Sequence, residues 1–285
     1  MIIKNNIAGL FGGNHQTRSF GSSCEFSDYR DYIPGDDITK IDWNAYARFE
    51  KLYLKLYLDE RQMHTKIYID GSKSMGYDKG KKGLKALQIA ATLAYLSVQE
   101  MDKVSIYVIK ENKVHEVISN MVGKEVYLNN IGKLNEIEFD GDCFISDSVL
   151  PTKVGYGDGM SIIISDFLTD NNYEEAIDYL VGKKRDVFCM QVLDREEIKP
   201  KIRGKSHLFD SENIQKYYKK NINKDIMKAY YDALDFVVNR LKNYCLARNA
   251  TYLMVPSDKP LSEIFLERLP ELGVLKWHLN ILLVC

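Results

Sequence analysis

The sequence is short of most features that would give its chemistry away. Five cysteines, Cys24, Cys143, Cys189, Cys245 and Cys285, are scattered through 285 residues. They make no C-x-x-C pair and no Cys/His cluster at zinc spacing, so reduced thiols are expected rather than a disulfide framework or a zinc site. The five histidines, His15, His64, His115, His207 and His278, are equally dispersed and read as surface or satisfied polar residues. No G-x-G-x-x-G, P-loop or G-x-S-x-G occurs, which removes the usual signatures of dinucleotide binding, nucleoside triphosphate binding and α/β-hydrolase catalysis. Thirty-nine basic side chains against forty acidic ones leave a net charge of −1. Without a basic excess, no nucleic acid is expected as a partner. No stretch approaches the roughly 20 apolar residues of a membrane helix, and the apolar run at the start is too short for a secretory signal. The tail 274–285 is apolar but interrupted, and reads as a terminal strand or packing segment. The expectation is a cytoplasmic protein with no integral membrane segment.

What is present is a change of pattern near residue 62. At 45% hydrophobic, the chain can bury a substantial core. Residues 1–62 read as an N-terminal β-rich arm, with a Pro34-Gly35 turn and a strand over 52–58. Trp43 is the expected apolar anchor of the arm, with aspartates and arginines pairing around it. Residues 63–285 then alternate strands with helices. Strands are expected at Lys66-Ile67-Tyr68-Ile69, at 104–109, at Ser161-Ile162-Ile163-Ile164-Ser165, at 187–193 and at 251–255. Glu111-Asn112 turns the second of these into an antiparallel edge hairpin. The fold class is α/β, a doubly wound, mostly parallel sheet with one antiparallel edge strand. Residues 196–223 interrupt the alternation as an insertion with the makings of a small hairpin, and a long helix is expected over 225–248. Lys79-Gly80-Lys81-Lys82-Gly83 reads as a solvated turn, with the first long helix starting near Lys81.

The chemistry concentrates where the first sheet strand hands over to that helix, in Asp70-Gly71-Ser72-Lys73-Ser74-Met75-Gly76. In an open α/β sheet the crevice beyond the carboxyl ends of the strands is where ligands bind. Two predicted strands end in aspartate, Asp70 and Asp166, and Ser72 and Ser74 add hydroxyls. Hard oxygen donors with room for water suit Mg²⁺ or another divalent cation.

Asp70, Ser72 and Ser74 with Asp166 resemble the metal-ion-dependent adhesion site (MIDAS) of von Willebrand factor A-like domains. In the arm, Cys24-Glu25-Phe26 through Arg30, Tyr32-x-Pro34-Gly35-Asp36-Asp37, Ile41-Asp42-Trp43 and Ala47-Arg48 resemble the signature of the bacterial domain of unknown function 58 family, over about residues 21 to the last helix. The resemblance implies a von Willebrand factor A-like, Rossmann-type domain and partnership with a MoxR-type AAA+ ATPase. Metal-binding A domains supply a threonine from a loop before the next parallel strand. The matching stretch is Gly141-Asp142-Cys143, which puts Cys143 at the threonine position. A thiol is a poor Mg²⁺ ligand, so either Asp142 or Ser146 replaces it as an oxygen donor, or the site binds its ion weakly or stays empty. The implied function is a non-catalytic protein-interaction module in which the ion docks a partner's carboxylate. The alternative is a metal-dependent phosphohydrolase with Asp70 as nucleophile, although Ser72 stands where such enzymes place a second aspartate.

Overall fold

The computed structural model of the chain describes residues 16–18, 26–60, 63–157, 159–168, 173–201, 204–209 and 217–272. Cys24, Glu25, Cys285 and the apolar tail 274–285 lie outside the described residues. One compact unit holds the described residues up to Glu60 and the other those from Met63 onward.

Among the described residues the first unit is a three-stranded antiparallel sheet with one short α-helix. Strands β1 (Gln16–Arg18), β2 (Phe26–Asp31) and β3 (Tyr53–Glu60) lie in the order β1-β3-β2, and α1 (Trp43–Phe49) precedes β3. Gly35, at φ +107°, accepts the backbone angle that the Pro34-Gly35 turn demands. Asp42 is the buried organising residue. Its carboxylate caps α1 by accepting from the Asn44 and Ala45 amides at 2.9 and 3.2 Å, and it also takes the Tyr29 hydroxyl at 2.8 Å and the Lys55 ammonium at 3.3 Å. Four donors, the Tyr29 hydroxyl foremost, hold its carboxyl at about 2. Trp43, expected as the anchor, is instead 60% exposed and stands edge-on to Tyr46. Its neighbour Asp42 must occupy the cap position, and that turns the first helical side chain outward. Ile41, Ala45 and Leu54 supply the buried apolar contacts.

The second unit is a six-stranded sheet in the order β11-β8-β7-β4-β5-β6. Its elements are β4 (His64–Asp70), α2 (Lys73–Gln99), β5 (Lys103–Lys110), β6 (Lys113–Met121), α3 (Lys124–Asn130), α4 (Ile145–Val149), β7 (Met160–Ser165), α5 (Glu174–Gly182), β8 (Asp186–Leu193), α6 (Arg195–Ile198), β9 (Gly204–Phe209), β10 (Tyr217–Ile222), α7 (Lys224–Ala247) and β11 (Thr251–Pro256). All neighbours pair in parallel except β6, which runs antiparallel to β5 at the edge. The β5–β6 turn places Glu111 and Asn112 at φ 53° and 58°, the left-handed pair that a two-residue hairpin requires. The insertion carries an antiparallel hairpin, β9–β10, as a separate two-stranded sheet. This is the expected doubly wound α/β architecture with an antiparallel edge.

Strand alternation sorts the core into two layers. Ile67, Ile69, Ile162, Ile164, Met190 and Val192 face α2 and its neighbours, while Tyr68, Ile163, Val187 and Cys189 face α4, α5 and α7. At the amino ends of the strands the buried Arg185 guanidinium ties β7 to β4. It donates to the Ser161 hydroxyl at 2.7 Å, to the Met160 carbonyl at 2.6 Å and to the His64 carbonyl.

Helix α2 corrects the sequence reading. It begins at Lys73, so the glycine- and lysine-rich run is helix, not turn. Glycine weakens a helix by about 1 kcal/mol relative to alanine, but here two of them make room for the segment before Gly141. A Cβ on Gly76 would stand 2.5 Å from the Phe139 carbonyl oxygen, and one on Gly83 would stand 2.5 Å from the Phe139 ring. Lys82, expected on that solvated turn, is buried, and so is Lys85 one turn on. Lys85 donates to the Lys259 carbonyl at 2.7 Å, and Lys82 reaches the crevice described next.

Candidate metal and docking crevice

After β4 the chain crosses through α2 to β5 on one side, and it later returns to β7 on the other. The β4–β7 boundary is therefore the topological switch point, where ligand crevices form. In the parallel register Ile69 sits beside Ile164, so Asp70 and Asp166 leave adjacent strand ends.

Asp70 is fully desolvated and tightly held. Its Oδ1 accepts from the Ser72 amide at 2.8 Å, and its Oδ2 accepts from the Ser165 hydroxyl at 2.5 Å. Burial pushes its carboxyl above the ordinary carboxylate range, and the nearby Asp166 charge pushes the same way. Ser72 caps α2 with extended backbone, and its hydroxyl lies 2.9 Å from that of Ser74. Asp166 is also buried. The Leu168 amide donates to its Oδ1 at 3.1 Å, and its backbone carbonyl accepts from the Gln191 side chain at 2.8 Å. The structure thus gathers Asp70, Ser72, Ser74 and Asp166 at one crevice.

The loop expected beside them is there in its backbone. Ser72 and Gly141 form a parallel bridge, the Lys73 amide donates to the Gly141 carbonyl at 2.9 Å, and the Gly141 amide donates to the Gly71 carbonyl at 3.3 Å. The side chains that follow go elsewhere. Cys143 packs into the apolar layer with Tyr68, Ile109 and Ile145. Asp142 is exposed and lies 3.6 Å from the Lys73 ammonium. Ser146 is buried in α4, where its hydroxyl accepts from the Ala176 amide at 3.1 Å. Among the described residues no three His, Cys, Asp or Glu side chains converge as a ligand set. The crevice therefore offers two carboxylates and hydroxyls and no thiolate.

Three residues that the sequence reading missed complete the surroundings. Ser165 precedes the second aspartate and orients the first. Lys82 donates to Asp166 Oδ2 and to Glu197 Oε1, each at 2.7 Å. Burial would push the Lys82 ammonium down, but the two carboxylates outweigh it and hold its pKa above the ordinary value. Glu197 belongs to a capping box at the start of α6, where its Oε2 accepts from the Asp194 amide at 2.7 Å. A cavity of about 360 Å³ opens here, with Tyr77, Lys82, Glu197, Ile226, Met227 and Tyr230 in its walls.

Among curated proteins the chain is similar to Uncharacterized protein Rv1480 of Mycobacterium tuberculosis and Uncharacterized protein Mb1516 of Mycobacterium bovis. Each is 23% identical over 220 residues, covering 75% of this chain and 68% of the relative. Among solved structures, the von Willebrand factor A (VWA) domain of SpRpn10 aligns with a TM-score of 0.41 at 9% identity, covering 76% of this chain and 100% of that one. The pilus adhesin SpaC of Lactobacillus rhamnosus GG aligns at 0.38 and 9% identity, covering 75% of this chain and 31% of the adhesin. No helix among the described residues is long and apolar enough to cross a membrane. The family described as "Protein of unknown function DUF58" matches residues 28–235, and over that span, well beyond half its length, this chain belongs to the DUF58 family.

Proposed function

We propose that this chain is a non-catalytic protein-interaction module whose crevice takes a divalent cation, Mg²⁺ by the chemistry of its donors, and through it a carboxylate of a protein partner. One observation carries the reading: two buried carboxylates, Asp70 and Asp166, meet a pair of serine hydroxyls at the switch point of the sheet.

The residues fit such an ion. All four donors are hard oxygens, the class that Mg²⁺ prefers. Neighbouring ligands of an octahedral Mg²⁺, with bonds of about 2.1 Å, lie about 3 Å apart, and the Ser72 and Ser74 hydroxyls are 2.9 Å apart. Burial and the Asp166 charge both disfavour the ionised Asp70 carboxyl, and a cation at the crevice would offset both. Asp70, Ser72, Ser74 and Asp166 would hold the ion, with water filling the remaining positions. Bound there, the ion supplies a coordination position for an anionic oxygen. Cys143, Asp142 and Ser146 are not assigned as ligands, given where their side chains lie.

The partner class is the one that the family resemblance implies, a MoxR-type AAA+ ATPase presenting an acidic contact residue, in the cytoplasm. The phosphohydrolase reading is less well supported. Ser72 stands where a second aspartate is needed.

The test is a Mg²⁺ titration of thermal stability. A ligand at a hundred times its Kd stabilises the folded state by about 2.7 kcal/mol. The wild-type melting temperature is expected to climb with Mg²⁺ while that of Asp70→Ala stays flat. Capture of the ATPase is expected to fail with chelator and with the same variant. Equal responses of the two proteins would refute the site. Phosphatase turnover that disappears in Asp70→Ala would establish the enzyme instead.

A further inference from the structure

Lys82 stands where the chemistry of the crevice asks for a cation. Its side chain is 3% exposed and that of Asp166 4%, so the ammonium and carboxylate pair away from water. The same ammonium reaches Glu197, whose side chain is 27% exposed, so one group spans from the buried crevice to a partly open cavity wall. Glu197 is itself anchored. Its second oxygen holds the Asp194 amide, and its backbone carbonyl accepts from the Tyr230 hydroxyl at 2.6 Å. A lysine ammonium is a compact charge on a flexible four-carbon stem with three donors. It can therefore give up one carboxylate and keep the other.

We infer that Lys82 is a resident cation that competes with a divalent ion for Asp166, and that the ion enters only when the ammonium leaves Asp166 and stays on Glu197. The inference rests on the metal reading proposed above. Two positive centres drawn to one buried carboxylate repel each other strongly in a low-dielectric site. The tethered ammonium therefore lowers the crevice's affinity for the ion. It also couples ion entry to α6 and the cavity, because Glu197 is the second carboxylate to which Lys82 already donates.

The experiment measures Mg²⁺ binding to the full chain by calorimetry and by thermal shift. Lys82→Met leaves two carboxylates facing an apolar stem and carries a risk of misfolding. The decisive protein is therefore Lys82→Met/Glu197→Gln, which removes the ammonium with one of its two carboxylates. It is expected to bind Mg²⁺ at least tenfold more tightly than wild type. Glu197→Gln alone, which leaves Lys82 on Asp166, is expected to bind no more tightly. Adding Asp70→Ala to the double variant is expected to abolish binding. If wild type binds Mg²⁺ and the double variant binds no tighter, the competition is overturned and the metal site stands. If wild type does not bind but the double variant does, the competition is supported and the wild-type chain is not a metal protein. If neither binds, or if Glu197→Gln alone gives the full gain, the competition is overturned.

Discussion

Asp102 gives the sharpest stability test in the molecule. It follows Met101, which takes a left-handed turn at φ 60° between α2 and β5. Its Oδ1 accepts from the Met63 amide at 2.9 Å, just ahead of β4. Burial raises its carboxyl from 3.8 to about 6, with the Met63 bond acting against the rise and the Glu100 charge adding to it. A carboxyl raised in the fold favours the protonated state. Its stabilising contribution is complete below 3.8 and is lost as pH climbs through about 6. At neutral pH the wild type thus carries a poorly solvated charge. A rise of that size corresponds to about 3 kcal/mol, which we halve to about 1–2 kcal/mol because the group is not fully removed from water. Asp102→Asn keeps the acceptor for Met63 and discards the charge. At about 2–4 °C per kcal/mol for a unit of this size, its melting temperature is expected to exceed wild type by about 3–6 °C at pH 8. At pH 4 the two are expected to coincide. A variant less stable than wild type at pH 8, or equally shifted at both values, would show that the charge is well accommodated and refute the reasoning.

Other outcomes follow from the same packing. Gly76→Ala adds a good helix former to α2, yet its Cβ would press on the Phe139 carbonyl oxygen. A net loss of about 1–2 kcal/mol is expected in denaturant melts, since overpacking outweighs propensity. Gly132→Ala, where nothing lies within 4 Å, is the control expected to stay within about 0.5 kcal/mol of wild type. His64 is held at about 4 by burial and by the positive charges of Lys66, Arg185 and Lys103. One imidazole in an NMR titration is therefore expected to stay neutral down to about pH 4. A base with a lowered pKa supports the fold above its ordinary value of 6.5 and loses that support as pH falls toward 4.

The strands were legible because their signals are local. The run Ser161-Ile162-Ile163-Ile164-Ser165 reads as a strand buried on both faces, and β7 is that strand. Glu111-Asn112 announces its hairpin, and the insertion announces a second one. Asp70, Ser72 and Asp166 were legible for the same reason, being polar residues set directly after apolar runs. What stayed hidden depends on distant partners. Lys82 looks like a solvated lysine because the groups that bury it lie 84 and 115 residues further on. The glycines of α2 look like breakers because the segment they admit, at Phe139, is also remote in sequence. Trp43 misled in the opposite sense. Its size suggested an anchor, while the neighbouring aspartate's role as a cap decided its direction.

The switch point has a consequence for how the protein matures. Asp70 and its orienting Ser165 are separated by 95 residues, and the walls of the crevice come from separate halves of the second unit. A nascent chain that has emerged only as far as β6 carries one carboxylate and no opposite wall. The pairing of Asp70 with Ser165, and its approach to Asp166, therefore come only when β7 docks against β4. A chain cut in the loop ahead of β7 would leave Asp70 on one piece and Ser165 with Asp166 on the other.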